Sequence, residues 1–590
     1  MCGVFGFTGA EHDVEATVGS ALRALEYRGY DSWGVSWTTG DRLSTRKKTG
    51  RLTTGGLPSE RTSAAIGHTR WATHGGVTDA NAHPHADCSR RFSVVHNGII
   101  ENAEDLRRGL ERRHELRSTT DSEVVPHLLE DALGTGSDLA QAVSSVFAQL
   151  KGNNAIVVLD GESGEIHAIC DGSPLLVAEG DLGSYIASDV IAFNRLATQM
   201  SPIPDRTLTR LTSHGIGMQR ASAGTWNRPT MIPVVHREND ALGSFSHFTE
   251  KEIAEQPAVI DGLCRDQAET ATLAGELRAA KLVILTGCGS AYFAARMGAS
   301  WISRAGGTPA LAVPASEFAE MAPFLDDQSL VIALSQSGET ADVIDAIGIA
   351  RQHGARVHAI VNVPYSTVAR LTDRAYPLHA GIEQSVLATK SLMAMATRLY
   401  LAAAALAGET DRSTTTARAL AAMLARLPED QALDAQITSI AERLAGCEHV
   451  YMIGTGIGAV VAQEASLKLK EASYVHAEAF AAGELKHGSI ALIEDGTPCL
   501  IFAGDSAMEN VSSSRLATTS HELRSRGAYT IGVGTPASTE FSEVIVLPDG
   551  KDCAPMVQLY VAQMLAYRTS VNRGLNPDRP RNLAKSVTVR

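Results

Sequence analysis

Short runs of apolar residues, broken by turn formers, set the rhythm of the first 235 residues. Ala64-Ala65-Ile66-Gly67, Phe92-Ser93-Val94-Val95, Ala155-Ile156-Val157-Val158-Leu159 and Ser184-Tyr185-Ile186-Ala187 read as short strands. Helical stretches are predicted around residues 14–26 and 122–133. A layered domain with substantial sheet is therefore expected over 1–235. Polar, Pro-punctuated sequence follows, with Trp226-Asn227-Arg228-Pro229, Pro233 and His236-Arg237-Glu238-Asn239-Asp240, and it predicts a linker over 236–260.

Beyond the linker the pattern repeats. The apolar run Lys281-Leu282-Val283-Ile284-Leu285 leads into a Gly-rich turn, and His449-Val450-Tyr451-Met452-Ile453 does the same. Residues 330–334 find a counterpart in 498–503, and 357–361 in 528–533, at a nearly constant offset. Apolar strands alternating with longer helices indicate parallel βαβ units in each copy. Two doubly wound α/β domains are predicted, over 261–425 and 426–577, joined by an Ala-rich helical stretch near 390–425. Residues 578–590 stand apart as a tail with few apolar positions.

Length agrees with this division, since 590 residues exceed what one core can organise and suggest about three or four domains. The net charge of -14, without a Lys/Arg-rich run, gives no nucleic-acid footprint. The eight cysteines are scattered and form no CxxC pair, so neither a disulfide framework nor a metal site is expected. No apolar run reaches about 18 residues and the N-terminus lacks a signal-peptide layout. No membrane partner is expected, and the location is expected to be cytoplasmic.

The second residue changes the picture. Removal of Met1 would leave Cys2 with both a thiol nucleophile and a free α-amine able to serve it as a base. Further along come Tyr27-Arg28-Gly29-Tyr30-Asp31-Ser32, Arg70-Trp71-Ala72-Thr73-His74-Gly75, His96-Asn97-Gly98 and Thr120-Asp121-Ser122-Glu123. Singly, each has a bland reading as a turn or helix start. Together with Cys2 they resemble the class II glutamine amidotransferases. That resemblance implies Cys2 as the nucleophile on the glutamine amide and Asn97 with the Gly98 N–H as the oxyanion hole. It further implies Arg70 for the substrate carboxylate, Asp121 for its ammonium, Thr73 and His74 in the pocket, and Trp71 as the gate for ammonia.

In the repeated half, Ser335-Gln336-Ser337-Gly338-Glu339-Thr340 follows a buried strand and precedes a helix, which makes an anion site without the lysine of a Walker loop. With Gly287-Cys288-Gly289-Ser290 it resembles the sugar-isomerase (SIS) phosphosugar-binding domains. Ser335, Gln336, Ser337 and Thr340 are then the expected phosphate ligands, joined by Cys288, Gly289, Ser290, Glu383 and Val386 around the sugar phosphate. Glu464, Lys468 and Glu471 fall at i, i+4 and i+7 on one helix face, ordinarily a solvated ladder of charges.

Taken with the tail from Asp578 to Arg590, the whole chain is similar to the glutamine–fructose-6-phosphate aminotransferase (isomerising) family. The resemblance implies an αββα glutaminase domain of the N-terminal-nucleophile type and two parallel-sheet SIS domains. It also implies glutamine and a ketose phosphate, fructose 6-phosphate, as substrates, no cofactor, and a homodimer. By the same resemblance His487 opens the sugar ring, Lys585 forms a Schiff base with the ketone, Glu471 moves a proton between C1 and C2, and Lys468 assists. The segment Gly381-Ile382-Glu383-Gln384-Ser385-Val386-Leu387-Ala388-Thr389-Lys390 departs from the family pattern, with Leu387 and Ala388 where Ala and Ser are usual. Ala291 and Ser489 depart as well. Alternatives are therefore a diverged paralogue aminating another ketose phosphate, or a sugar-phosphate sensor without synthetic activity.

Overall fold

The computed structural model describes all residues except 1, 41, 194–195, 221–223, 235–241, 505–508, 536–538 and 587–590, and the side chains of 509–513. The chain divides into two compact units, Met1–Glu238 with Ala584–Arg590, and Asn239–Leu583.

In the first unit an eight-stranded sheet faces a six-stranded one. Between them lies a core of Val4, Ile66 and Ile186 from one sheet and Val95, Val157 and Leu159 from the other. The alternate residues Phe92, Val94, Ile156 and Val158 point the other way, under the helices Ala103–Leu110, Val124–Gly134 and Leu139–Phe147. The helix Ser20–Leu25 packs against the eight-stranded sheet. The layers thus run helix, sheet, sheet, helix. Strands of the six-stranded sheet are buried on both faces, which explains why they read as continuous apolar runs rather than alternating ones.

Register sets the chemistry. The strand Gly3–Asp13 lies antiparallel between Arg61–Arg70 and Gly183–Ala187, with Gly3 opposite Thr69. Cys2 therefore falls level with Arg70, at the strand ends.

The second unit carries two five-stranded parallel sheets of matching order. Leu282–Gly287 lies between Ala310–Pro314 and Ser329–Ser335, followed by Arg356–Val361 and Arg374–Pro377. Its repeat places His449–Gly454 between His476–Ala481 and Pro498–Phe502, then Tyr529–Val533 and Glu543–Ile545. One apolar core spans both copies, from Ile253 through Leu399 and Leu469 to Leu565. The Ala-rich stretch near 390–425 is two helices, Lys390–Leu406 and Thr410–Arg426, separated at Gly408 with its φ of 80°. Much of the expected linker is also helical. Phe248–Ala254 and Gln256–Arg265 are helices with Ile253, Ile260 and Leu263 in the core, because their apolar residues recur at helical spacing behind the Pro-rich start. Among the described residues no helix is long and apolar enough to cross a membrane.

Candidate active sites

Cys2, Arg70, Trp71, Asn97 and Asp121 converge at one end of the two sheets in the first unit. The Trp71 N–H donates to Cys2 Sγ at 3.2 Å. Burial pushes the Cys2 thiol up, opposed by that N–H and by Arg70. Burial likewise pulls the Arg70 guanidinium down, opposed by Cys2, Asp121 and Asp31 around it. Arg70 donates to the carbonyls of His74, Gly75 and Gly76, so the loop that carries Thr73 and His74 folds back over it. Thr73 is exposed and His74 half-buried. Asp31 accepts from the Ala72 N–H at 2.8 Å, and Tyr30 meets the Trp71 ring edge-on at 5.6 Å.

Asn97 donates through Nδ2 to the Cys2 carbonyl at 3.0 Å. Its Oδ1 lies 3.1 Å from His68 Nε2, which is also 3.1 Å from the His96 carbonyl. Both neighbours are acceptors, so Nε2 must carry the proton, and this fixes which way the Asn97 amide faces. Gly98 has φ 132°, and a Cβ there would stand 2.1 Å from the Asn153 carbonyl, so no other residue fits. Asp121 is buried and accepts from the Ile100 N–H at 2.8 Å and the Ser122 hydroxyl at 3.3 Å.

In the second unit Ser335 ends its strand. Its Oγ accepts from the Gly338 N–H at 2.9 Å and lies 3.2 Å from Thr340 Oγ1. Thr340 precedes the helix Ala341–Gln352, while Gln336 and Ser337 are half-buried on the turn. At Gly338, φ 68°, a Cβ would sit 1.9 Å from Ser366 Oγ, so the turn closes tightly. Gly289, φ 55°, turns the chain from Cys288 into the helix Ser290–Gly306. Burial, then Asp342, pushes the Cys288 thiol up to about 11.

The charged helix face is not a solvated ladder. Glu464 and Lys468 are each 1% exposed, and Glu471 is half-buried. Lys468 bridges the two carboxylates, 3.6 Å from Glu464 Oε1 and in tight contact with Glu471 Oε2. Ser290, from the other copy of the repeat, donates to Glu464 Oε1 at 2.9 Å. Burial pushes Glu464 up to about 7, against the pull of Lys468. Lys468 is itself raised: burial opposes its charge, but Glu471 and Glu464 outweigh it.

The Glu383 carboxylate accepts from the N–H groups of Thr389 and Ser391, both 3.0 Å, and from the Ser391 hydroxyl, 2.7 Å, capping the helix Lys390–Leu406, and its charge also helps raise Lys468. Val386 is tied by its N–H to the Asp578 carbonyl at 3.0 Å. Leu387 is 1% exposed within the shared core, so its added bulk is packed inward rather than into a pocket. His487 is exposed on the one-turn segment Leu485–His487. Lys585 falls with the N-terminal unit, whereas Glu471 and His487 belong to the other.

Sequence reasoning missed His68, Glu464 as a partner of Ser290, and one cluster altogether. Cys88, His114, His127 and Glu130 bring four ligand-type atoms within 4.8 Å of one another, against the expectation of no metal site. The local signal was His127-x-x-Glu130 on a helix; Cys88 and His114 are too far off in sequence to announce themselves.

Fold and geometry define a class: a cysteine-headed amidotransferase carried on the same chain as a pair of SIS domains. Residues 68–195 match the glutamine amidotransferase domain family, and 276–405 and 443–573 match the SIS domain family. A glutamine–fructose-6-phosphate aminotransferase [isomerizing] of Symbiobacterium thermophilum is 39% identical, with all of both chains aligned, and one from Streptomyces coelicolor is 37% identical over the same full extent. The C-terminal domain of glucosamine-fructose-6-phosphate aminotransferase from Francisella tularensis superposes with a TM-score of 0.52 at 28% identity, over 58% of this chain and 99% of that one. The chain belongs to the glutamine–fructose-6-phosphate aminotransferase (isomerising) family.

Proposed function

We propose that this enzyme takes ammonia from glutamine, transfers it to fructose 6-phosphate and isomerises the product to glucosamine 6-phosphate, releasing glutamate. The observation that carries the reading is the end-to-end similarity to aminotransferases of that name. The residues supply a workable route. With Met1 removed, the Cys2 thiolate attacks the glutamine side-chain carbonyl; ammonia leaves, and water hydrolyses the thioester to glutamate. Asn97 Nδ2 and the Gly98 N–H stabilise the oxyanion. Arg70 takes the substrate carboxylate and Asp121 the ammonium, with Thr73 and His74 closing the pocket and Trp71 gating ammonia.

In the other unit Ser335, Gln336, Ser337 and Thr340 hold the phosphate, with the Cys288–Ser290 turn beside it, at the carboxyl ends of parallel strands where such sheets bind ligands. His487 promotes ring opening, Lys585 condenses with the C2 ketone, and ammonia displaces the lysine. Glu471 takes the C1 proton and returns it at C2, held close to the Lys468 ammonium. His487 acts on a neighbouring copy in a homodimer, which suits its exposure. Incubation with glutamine and fructose 6-phosphate, followed by mass spectrometry and chromatography of the sugar product, tests the proposal. Glutamate release without glucosamine 6-phosphate would refute it.

A further inference from the structure

The geometry points to a structural zinc site in the amidotransferase unit, built by Cys88, His114, His127 and Glu130. Around a tetrahedral zinc, with about 2.3 Å to sulfur and roughly 2.0–2.1 Å to nitrogen or oxygen, sulfur and nitrogen stand roughly 3.5 Å apart and the lighter pairs about 3.4 Å. Cys88 Sγ lies 3.4 Å from His114 Nδ1 and 3.6 Å from His127 Nδ1. Glu130 Oε2 lies 3.1 Å from His114 Nδ1 and 3.7 Å from His127 Nδ1. Four of the six edges of the required tetrahedron are thus already near their ideal length, and all four atoms lie within 4.8 Å of one another.

The surroundings are those of a metal site too. Both histidines present Nδ1 to the centre; His114 turns Nε2 to Asp131 at 3.0 Å, while His127 Nε2 faces Glu123 at 4.0 Å, beyond hydrogen-bond reach. An outer carboxylate such as Asp131 orients a metal-bound imidazole. The His127 side chain is 2% exposed, and its Nε2 has no hydrogen-bond partner. The Cys88 N–H donates to Glu130 Oε2 at 3.1 Å. Asp87 braces the turn, accepting from the Phe92 N–H at 2.7 Å. A thiolate, two imidazoles and a carboxylate suit zinc over magnesium or calcium, and four protein ligands leave no open position for catalysis.

The site would fasten three segments: the turn that leads into the strand of Asn97 and Gly98, the loop of His114, and the helix Val124–Gly134 just after Asp121. A zinc ion here braces the substrate pocket without touching substrate. This inference stands apart from the proposed amination and survives its failure.

Elemental analysis of the full-length protein, purified from zinc-replete cells without chelator, tests it. About one zinc per chain is expected, falling at least fivefold in Cys88→Ser and in His127→Gln. Cobalt(II) exchanged into the wild-type chain should show tetrahedral d–d bands with a thiolate charge-transfer band, and the latter should vanish in Cys88→Ser. Less than about 0.1 metal per wild-type chain, or cobalt spectra identical in wild type and Cys88→Ser, overturns the assignment. Because the zinc content of the wild type decides by itself, a variant that folds poorly does not rescue the idea.

Discussion

Replacing Glu464 by Gln should make the SIS unit more stable at pH 8 and leave it no better at pH 5. Glu464 is pushed up to about 7 from an ordinary 4.5, chiefly by burial. The folded state therefore binds this proton more tightly than the unfolded chain. The contribution is complete below about pH 4.5 and is lost as the pH rises through about 7. The span corresponds to about 3 kcal/mol at full deprotonation. Gln can keep the acceptor that matters, because the Ser290 hydroxyl and the Lys468 ammonium both address Oε1. Its amide nitrogen then occupies the position of Oε2, which has no hydrogen-bond partner, at a cost of about 1 kcal/mol. The balance favours Glu464→Gln by about 2 kcal/mol at pH 8. For a unit of roughly 345 residues this is a rise in Tm of about 3 °C. Melting at pH 5, 6.5 and 8, with hydrogen exchange across the helix Ile457–Ser473, reads the effect. A stability difference between the two proteins that does not change with pH refutes the argument.

The amidotransferase unit should fail in the opposite direction. Burial lowers the pKa of His68 to about 3 and holds His83, His85 and His96 below their ordinary 6.5. Their stabilising contribution is present above about pH 6.5 and lost as the pH falls, His68 alone losing about 1 kcal/mol by pH 5.5. Glutaminase activity should thus decay on acid incubation before the SIS unit melts, and simultaneous loss would contradict this. His68→Phe frees the Asn97 amide to turn and should lower glutaminase kcat about 10²-fold, with a smaller change in KM; an unchanged kcat would deny His68 its positioning role. Gly98→Ala, which drives a methyl against the Asn153 carbonyl, should cost at least 10²-fold in the same assay. Leu387→Ala should cost about 2–5 kcal/mol of stability through a core cavity and leave the preference among ketose phosphates intact; altered preference at unchanged Tm would instead place Leu387 in the sugar pocket.

Legibility followed distance along the chain. The strands could be read because apolar runs are local, and the internal repeat gave each one an independent check: Leu282–Gly287 with His449–Gly454, Ser329–Ser335 with Pro498–Phe502. The helices Phe248–Ala254 and Gln256–Arg265 were hidden by the polar, Pro-rich stretch ahead of them, although Ile253, Ile260 and Leu263 hold the core positions. Cys2, Arg70, Asn97 and Asp121 stood out as short motifs, yet the partner that orients Asn97 did not. His68 reaches it only because two sheets pack face to face, and no spacing within one strand encodes that.

The same reasoning decides how the charged helix is to be understood. Spacing at i, i+4 and i+7 says that Glu464, Lys468 and Glu471 share a face, but not what the face looks upon. A solvated ladder and a buried proton-transfer face have the same sequence. What separates them is Ser290, 174 positions earlier, whose hydroxyl closes on Glu464 where the two SIS copies meet. Once that contact shuts out water, two carboxylates share one ammonium. Lys468 stays in tight contact with Glu471 while burial pushes Glu464 up to about 7. Duplicating a phosphate-binding fold thus supplied a second surface that closes over Ser290 at the end of the first copy's polar turn, and with it an environment neither copy has alone.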